Sequence, residues 1–218
     1  MARMGRSLAE VHRRTISVPR AERIAAALSQ QIGQADSLLD VGCGDGRIAR
    51  ATARAVGATE VRGVDVKLQP RCAVDAMPYD GVALPYDDGR FEVVLLCDVL
   101  HHAAEPDRLL AECLRVARRA VALKDHLRFG PVSQLVLLAM DHVGNAAPGV
   151  AVRGHYLSLS EWVDRIERAG ARIRTLRWPL RIHDLPWRLV ARSEYQFSAL
   201  LELPRGAGGA PGEGDHDR

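Results

Sequence analysis

At 218 residues, 47% of them hydrophobic, the chain is long enough for one domain with a sizeable core. Its formal charge of +3 is mild and its basic residues are scattered, which argues against a nucleic-acid partner. Cys43, Cys72, Cys97 and Cys113 form no C-x-x-C pair, no signal peptide is visible, and the apolar run Val132–Met140 is too short to span a membrane, so reduced thiols and a cytoplasmic setting are expected.

Residues 1–18 are basic and irregular, with a helical hint around Leu8–Val11. Pro19 suits the first turn of a helix through about Ile32, whose apolar residues Ile24, Ala25, Leu28 and Ile32 recur at helical spacing. This helix is expected to pack beside the first strand, in preference to folding over a ligand. Leu38, Leu39 and Val41 then form a short apolar run interrupted by Asp40, and it leads into Gly42-x-Gly44-x-Gly46. The following stretch, Arg47–Val56, has helix formers at helical spacing. Strand, glycine turn and helix open an α/β sheet whose ligands sit beyond the carboxyl ends of the strands. Arg47 stands where a dinucleotide-binding loop needs a small third residue, so NAD is not expected.

Val61–Val66 reads as a second strand ending on Asp65, about twenty residues past the loop, where a carboxylate can accept from both hydroxyls of a ribose. Arg71–Asp75 is a weak third strand. Asp88-Gly89 is a turn signal, and Phe91–Cys97 is apolar enough to be a strand buried on both faces. A helix follows from Glu105-Pro106-Asp107 to about Arg115, and Ala120–His126 is a fifth strand. Leu127–Met140 reads as an apolar helical insertion. Ser158 or Ser160 caps a helix with Trp162, Val163, Ile166 and Ala169 inside. A sixth strand over Ala171–Leu176, a loop or lid over 178–190 and a last strand over Glu194–Leu201 complete the pattern. The Gly- and Pro-rich tail 204–218 is expected to be disordered.

Asp40-x-Gly42-x-Gly44-x-Gly46, together with the stretch Asp80 to Glu92 carrying Leu84-Pro85-Tyr86, resembles the class I S-adenosylmethionine (SAM) dependent methyltransferases over roughly residues 36–126. The resemblance implies a Rossmann-like, doubly wound α/β fold with a mostly parallel seven-stranded sheet and helices on both faces. It implies one methyltransferase domain over residues 1–203, with an acceptor-covering insertion at about 127–157, and SAM as cofactor, leaving S-adenosylhomocysteine. The implied cofactor contacts are Asp40, Gly42, Cys43 and Gly44 for the methionine end, Asp65 and Val66 for the ribose, Asp80 and Gly81 for the adenine, and the Cys97 backbone for the amino group.

Methyl transfer to a hydroxyl needs an aligned oxygen and gains from a base in the histidine range. His102 and His126, after the fourth and fifth strands, are the expected catalytic residues, with His142 or His155 as groups that could reach in. Lys124 is expected along the strand edge. No metal is expected: Asp98, Asp125 and His126 roughly resemble the ligand placement of magnesium-dependent catechol-type O-methyltransferases, but the asparagine usual in that set is missing at 126 and histidine suits magnesium poorly. Leu135, Val136, Leu137, Met140, Trp178 and Trp187 offer a wall for an apolar or aromatic small molecule, or belong to the core. The reading is therefore methyl transfer to a small molecule, oxygen favoured. An RNA or protein methyltransferase and a SAM-binding regulatory subunit are the alternatives, and the oligomeric state stays open.

Overall fold

Leu38, Leu39 and Val41 have no exposed surface, because β1 (Ser37–Val41) carries apolar side chains on both faces and needs partners on both. The computed structural model describes residues 17–145, 153–184 and 191–203. In it β1 is flanked by parallel neighbours, β2 (Glu60–Asp65) with Leu38 opposite Val61 and β4 (Phe91–Cys97) with Leu38 opposite Val93. The sheet extends through β3 (Asp75–Pro78) on one side and β5 (Ala117–His126) on the other. The strands β6 (Arg172–Arg177) and β7 (Gln196–Glu202) close it, β7 lying antiparallel to both β5 and β6. The order β3-β2-β1-β4-β5-β7-β6 is the mostly parallel, seven-stranded sheet expected.

Alternation along the strands divides the core in two. Leu38, Val93, Leu95, Ala120 and Ala122 face α1 (Val18–Ile32), which buries Ile24, Leu28 and Ile32, and α2 (Arg47–Val56), which buries Ala53 and Val56. Leu39, Val41, Val94, Leu96 and Leu123 face α3 (Pro106–Val116) and a second helix, α5 (Leu159–Arg168), through Leu109, Leu110, Trp162 and Ile166. The insertion between β5 and α5 contains α4 (Pro131–Asn145), which begins at a proline rather than at Leu127.

The third strand lies at Asp75–Pro78 instead of Arg71–Asp75. Residues just before it are used elsewhere: the Ala73 amide donates to the Asp45 carbonyl at 2.8 Å, which holds this stretch against the glycine turn. Within the apolar wall, Leu137 is turned into the core, whereas Leu135 faces out at 68% exposure. The expectations for Leu8–Val11, Trp187 and the tail 204–218 lie outside the described residues. Among the described residues no helix is long and apolar enough to cross a membrane.

The start of α5 decides between the two candidate caps. Ser158 accepts from the Glu161 amide while the Glu161 carboxylate accepts from the Ser158 amide at 2.7 Å, a reciprocal capping box. Ser158→Ala should cost about 1 kcal/mol in urea denaturation. Ser160→Ala, on the exposed first turn, should stay within about 0.5 kcal/mol of the parent.

Candidate cofactor and acceptor site

The loop after β1 has positive φ at Gly42, Gly44 and Gly46, of 70°, 53° and 70°. A Cβ at Gly42 would lie 2.5 Å from Val99 Cγ2, and one at Gly46 would lie 2.7 Å from Cys72 Sγ. At Gly44 a Cβ would meet nothing within 4 Å, so the loop presents bare backbone to open space there. The Gly44 amide donates to Asp65 Oδ2 at 2.8 Å, and the Lys67 amide to Oδ1 at 2.9 Å. Asp65 thus ties the end of β2 to the loop, and a ribose diol arriving here would share that carboxylate.

Asp40 is 2% exposed and its Oδ1 has no hydrogen-bond partner. Burial, then the charges of Asp65 and Asp45, push its carboxyl up to about 8. A buried acid beneath an open glycine loop suits a cationic ligand, and SAM carries both a sulfonium and an ammonium. The Cys43 thiol packs against Gly63 and is held protonated by burial first, so Cys43 can serve a ligand only through its backbone. Asp80 Oδ1 accepts from the Val82 and Ala83 amides at 2.8 Å each, bonds that hold its carboxyl below the usual range. A Cβ at Gly81 would come within 3.1 Å of Val66 Cγ1, so the loop after β3 touches the end of β2. With Cys97 closing β4 beside β1, the nine expected cofactor residues all gather at the carboxyl ends of neighbouring strands.

The second half of the site is charged and largely buried. Asp98, at φ 59°, starts the turn after β4. It accepts from Lys124 Nζ at 2.5 Å and from Arg20, which reaches over from the first turn of α1. Lys124 has no exposed surface and also donates to Gln196 Oε1 at 2.5 Å, so it is a core residue and not an edge one. His101, 1% exposed, lies between two carboxylates: Nδ1 is 2.6 Å from Asp125 Oδ1, and Nε2 is 3.4 Å from Asp141 Oδ2. Asp141 comes from α4, is 3.6 Å from His102 Nε2, and accepts from the Tyr156 hydroxyl. The His101 ring centroid lies 4.0 Å from that of His102 and 5.0 Å from that of His126.

These neighbours divide the histidines. Burial alone would lower His101, but Asp125 and Asp141 outweigh it and raise it to about 10. His102 is held low by burial and then by the His101 charge, and His126 by burial and then by Lys124. His183, just past β6, is pushed down to about 4 by burial, with Arg20 and Lys124 next.

His102 and His126 are therefore brought into one cluster, but with His101 at its centre. His142 does not reach in; its Nδ1 lies 2.8 Å from the carbonyl of Leu138 on its own helix. His155 contributes its backbone amide, 3.3 Å from the His101 carbonyl. Arg20, Asp141, Tyr156, His183 and Gln196 carried no signal in the sequence as members of this cluster.

Residues 39–123 match the sequence model of a family described as a methyltransferase domain. A 27-O-demethylrifamycin SV methyltransferase from Amycolatopsis mediterranei (strain S699) is 29% identical over 165 residues, which is 68% of this chain and 58% of that protein. The chain thus spans somewhat over half the length of this curated relative. Among solved structures, the Burkholderia thailandensis 1,6-didemethyltoxoflavin-N1-methyltransferase, with bound 1,6-didemethyltoxoflavin and S-adenosylhomocysteine, superposes with a TM-score of 0.62 at 14% identity, covering 85% of this chain and 78% of that one. The mitomycin 7-O-methyltransferase MmcR superposes at 0.60 with 18% identity, covering 86% and 54%. At these identities the structural likeness speaks for the fold.

If the glycine loop and Asp65 hold the cofactor, Asp65→Ala should weaken S-adenosylhomocysteine binding by roughly 1–3 kcal/mol. Gly44→Ala should weaken it at least tenfold, because the added methyl would face the ligand, while the φ of 53° costs about 1–2 kcal/mol of stability. Calorimetric titration checks both, and unchanged affinity in both variants would place the ligand elsewhere.

Proposed function

We propose that this chain, which belongs to the class I SAM-dependent methyltransferases, moves the methyl group of SAM to a hydroxyl oxygen of a small molecule. The observation that carries the reading is the seat of Val99 on Gly42. It presses the turn holding Asp98, His101 and His102 against the loop that faces the cofactor's methionine end. The glycine loop, Asp65 and Asp80 would hold SAM, which would supply its methyl group beside the ends of β4 and β5. The two imidazoles expected to act there, His102 and His126, stand at those ends.

In the proposed step the acceptor hydroxyl gives its proton to His102 or His126. Its oxygen bonds to the methyl carbon as the carbon–sulfur bond breaks. S-adenosylhomocysteine and a methyl ether leave, and the proton passes to solvent. Alignment of oxygen, methyl and sulfur supplies much of the acceleration, on the order of 7–11 kcal/mol at best.

An oxygen acceptor is favoured because a nearby base gains most for a hydroxyl. The rifamycin and mitomycin relatives, named for O-methylation, support the same choice. Val136, Met140 and half-exposed Trp178 give the insertion side an apolar surface suited to an aromatic or apolar acceptor. Residues 1–203 as one domain, its 127–157 insertion covering the acceptor, and a cytoplasmic setting belong to this proposal. The free thiols Cys43, Cys72, Cys97 and Cys113 support the last point.

His102→Ala and His126→Ala are each expected to cut turnover by roughly 10²–10⁴ if that residue takes the proton. Affinity for S-adenosylhomocysteine should change little. Release of S-adenosylhomocysteine with a panel of phenols and alcohols measures this. Full activity in both variants would remove a base from the mechanism.

A further inference from the structure

Three groups in the buried cluster stand at separations that suit neither contact nor isolation. His101 Nε2 lies 3.4 Å from Asp141 Oδ2, and His102 Nε2 lies 3.6 Å from the same oxygen. The three ligand atoms fall within 4.8 Å of one another. These gaps are long for hydrogen bonds. They are close to the separation of two donors on one tetrahedral ion, roughly 3.3–3.4 Å for bonds of ~2.0–2.1 Å. His101 Nε2, on a side chain 1% exposed, is aimed into this space and has no hydrogen-bond partner.

The surroundings of the trio are those of a metal site. His101 Nδ1 is 2.6 Å from Asp125 Oδ1, the carboxylate–histidine contact that fixes a metal-binding imidazole's tautomer and direction. Asp141 is oriented by the Tyr156 hydroxyl, whose oxygen also lies 3.2 Å from the Leu137 carbonyl of α4. Two adjacent histidines can serve together because the turn tilts their rings 49° apart and brings both Nε2 atoms to one carboxylate oxygen.

We propose that His101, His102 and Asp141 bind one divalent transition-metal ion of the zinc type, with a fourth position open toward the acceptor. Two imidazoles and one carboxylate favour such an ion over magnesium or calcium. Three protein ligands with one open position is the pattern of catalytic rather than structural zinc. The open side is set by exposure: His101 is sealed at 1%, whereas His102 and Asp141 reach 14% and 13%. Asp98, Asp125 and His126 form a weaker set with His101. Asp98 already accepts from Lys124 and Arg20, and a further cation there would face both positive charges.

The inference rests on the methyl-transfer reading for the identity of the ligand at the open position, and it gives His102 a ligand's role in the loaded protein. Proton acceptance then falls to His126. The binding claim itself is tested without turnover. Full-length protein is stripped with chelator and titrated with zinc, and in parallel with cobalt(II), whose visible absorption reports nitrogen and oxygen ligands in tetrahedral geometry. One ion per chain is expected, with Asp141→Asn and His101→Ala each losing at least a hundredfold in affinity. Tyr156→Phe should lose about tenfold through its hold on Asp141, and His142→Ala, whose side chain bonds its own helix, should lose nothing. Retained S-adenosylhomocysteine binding certifies that each variant is folded; if His101→Ala does not fold, Asp141→Asn and Tyr156→Phe decide. Substoichiometric zinc in the parent protein, or equal binding by Asp141→Asn, would overturn the site. Stoichiometric zinc without methyl transfer to any acceptor would uphold the site and count against the methyl-transfer reading, and full turnover after complete removal of zinc would uphold that reading and overturn the open position toward the acceptor.

Discussion

Val99 packs where a side chain on residue 42 would otherwise be. A Cβ at Gly42 would lie 2.5 Å from Val99 Cγ2, well inside contact distance, so only glycine lets the turn after β4 close on the loop after β1. The approach joins the two halves of the site. On one side are bare loop amides, Asp40 and Asp65; on the other are Asp98, His101 and His102. Any larger residue at position 42 would push the two apart. The same loop is fixed from the far side by Asp65 and by the Ala73 amide on the Asp45 carbonyl, so its shape is held before any ligand arrives.

Burial of charge is the other main constraint. Asp98, Asp125 and Asp141 face Arg20, Lys124 and the buried His101 ring in the same enclosed region. Each group alone would be strongly disfavoured there, and buried ion pairs seldom add to stability over a well-packed apolar core. Such a cluster is better explained by what it can do than by what it stabilises. Its parts come from α1, the turn after β4, β5, α4 and the segment at Tyr156, so the insertion is fastened to the carboxyl end of the parallel strands by Asp141 and Tyr156. Asp40 is different, because its Oδ1 is buried with no protein partner, which leaves a place for a ligand's positive charge.

The sequence alone determined the local grammar: a buried strand at Ser37–Val41, a loop needing three glycines, a helix after it, and acids at 65 and 80 beyond the next strands. These were legible because each depends on a period of two, a period of 3.6 or a φ that only glycine adopts readily. Resemblance to a known family supplied the sheet, and the observed order agrees with it. What only the tertiary structure decided is which distant side chains meet. Arg20 and Asp98 are 78 residues apart, Lys124 and Gln196 are 72 apart, and no local pattern marks either pair. The third strand moved to Asp75–Pro78 because tertiary contact with the glycine loop claimed the residues before it. His101 rather than His102 took the centre of the cluster, because the direction of a side chain in a turn is set by the backbone beneath it. Asp141 took the place expected for His142, because on a helix one residue's step rotates a side chain by about 100° and decides which of two neighbours faces the site.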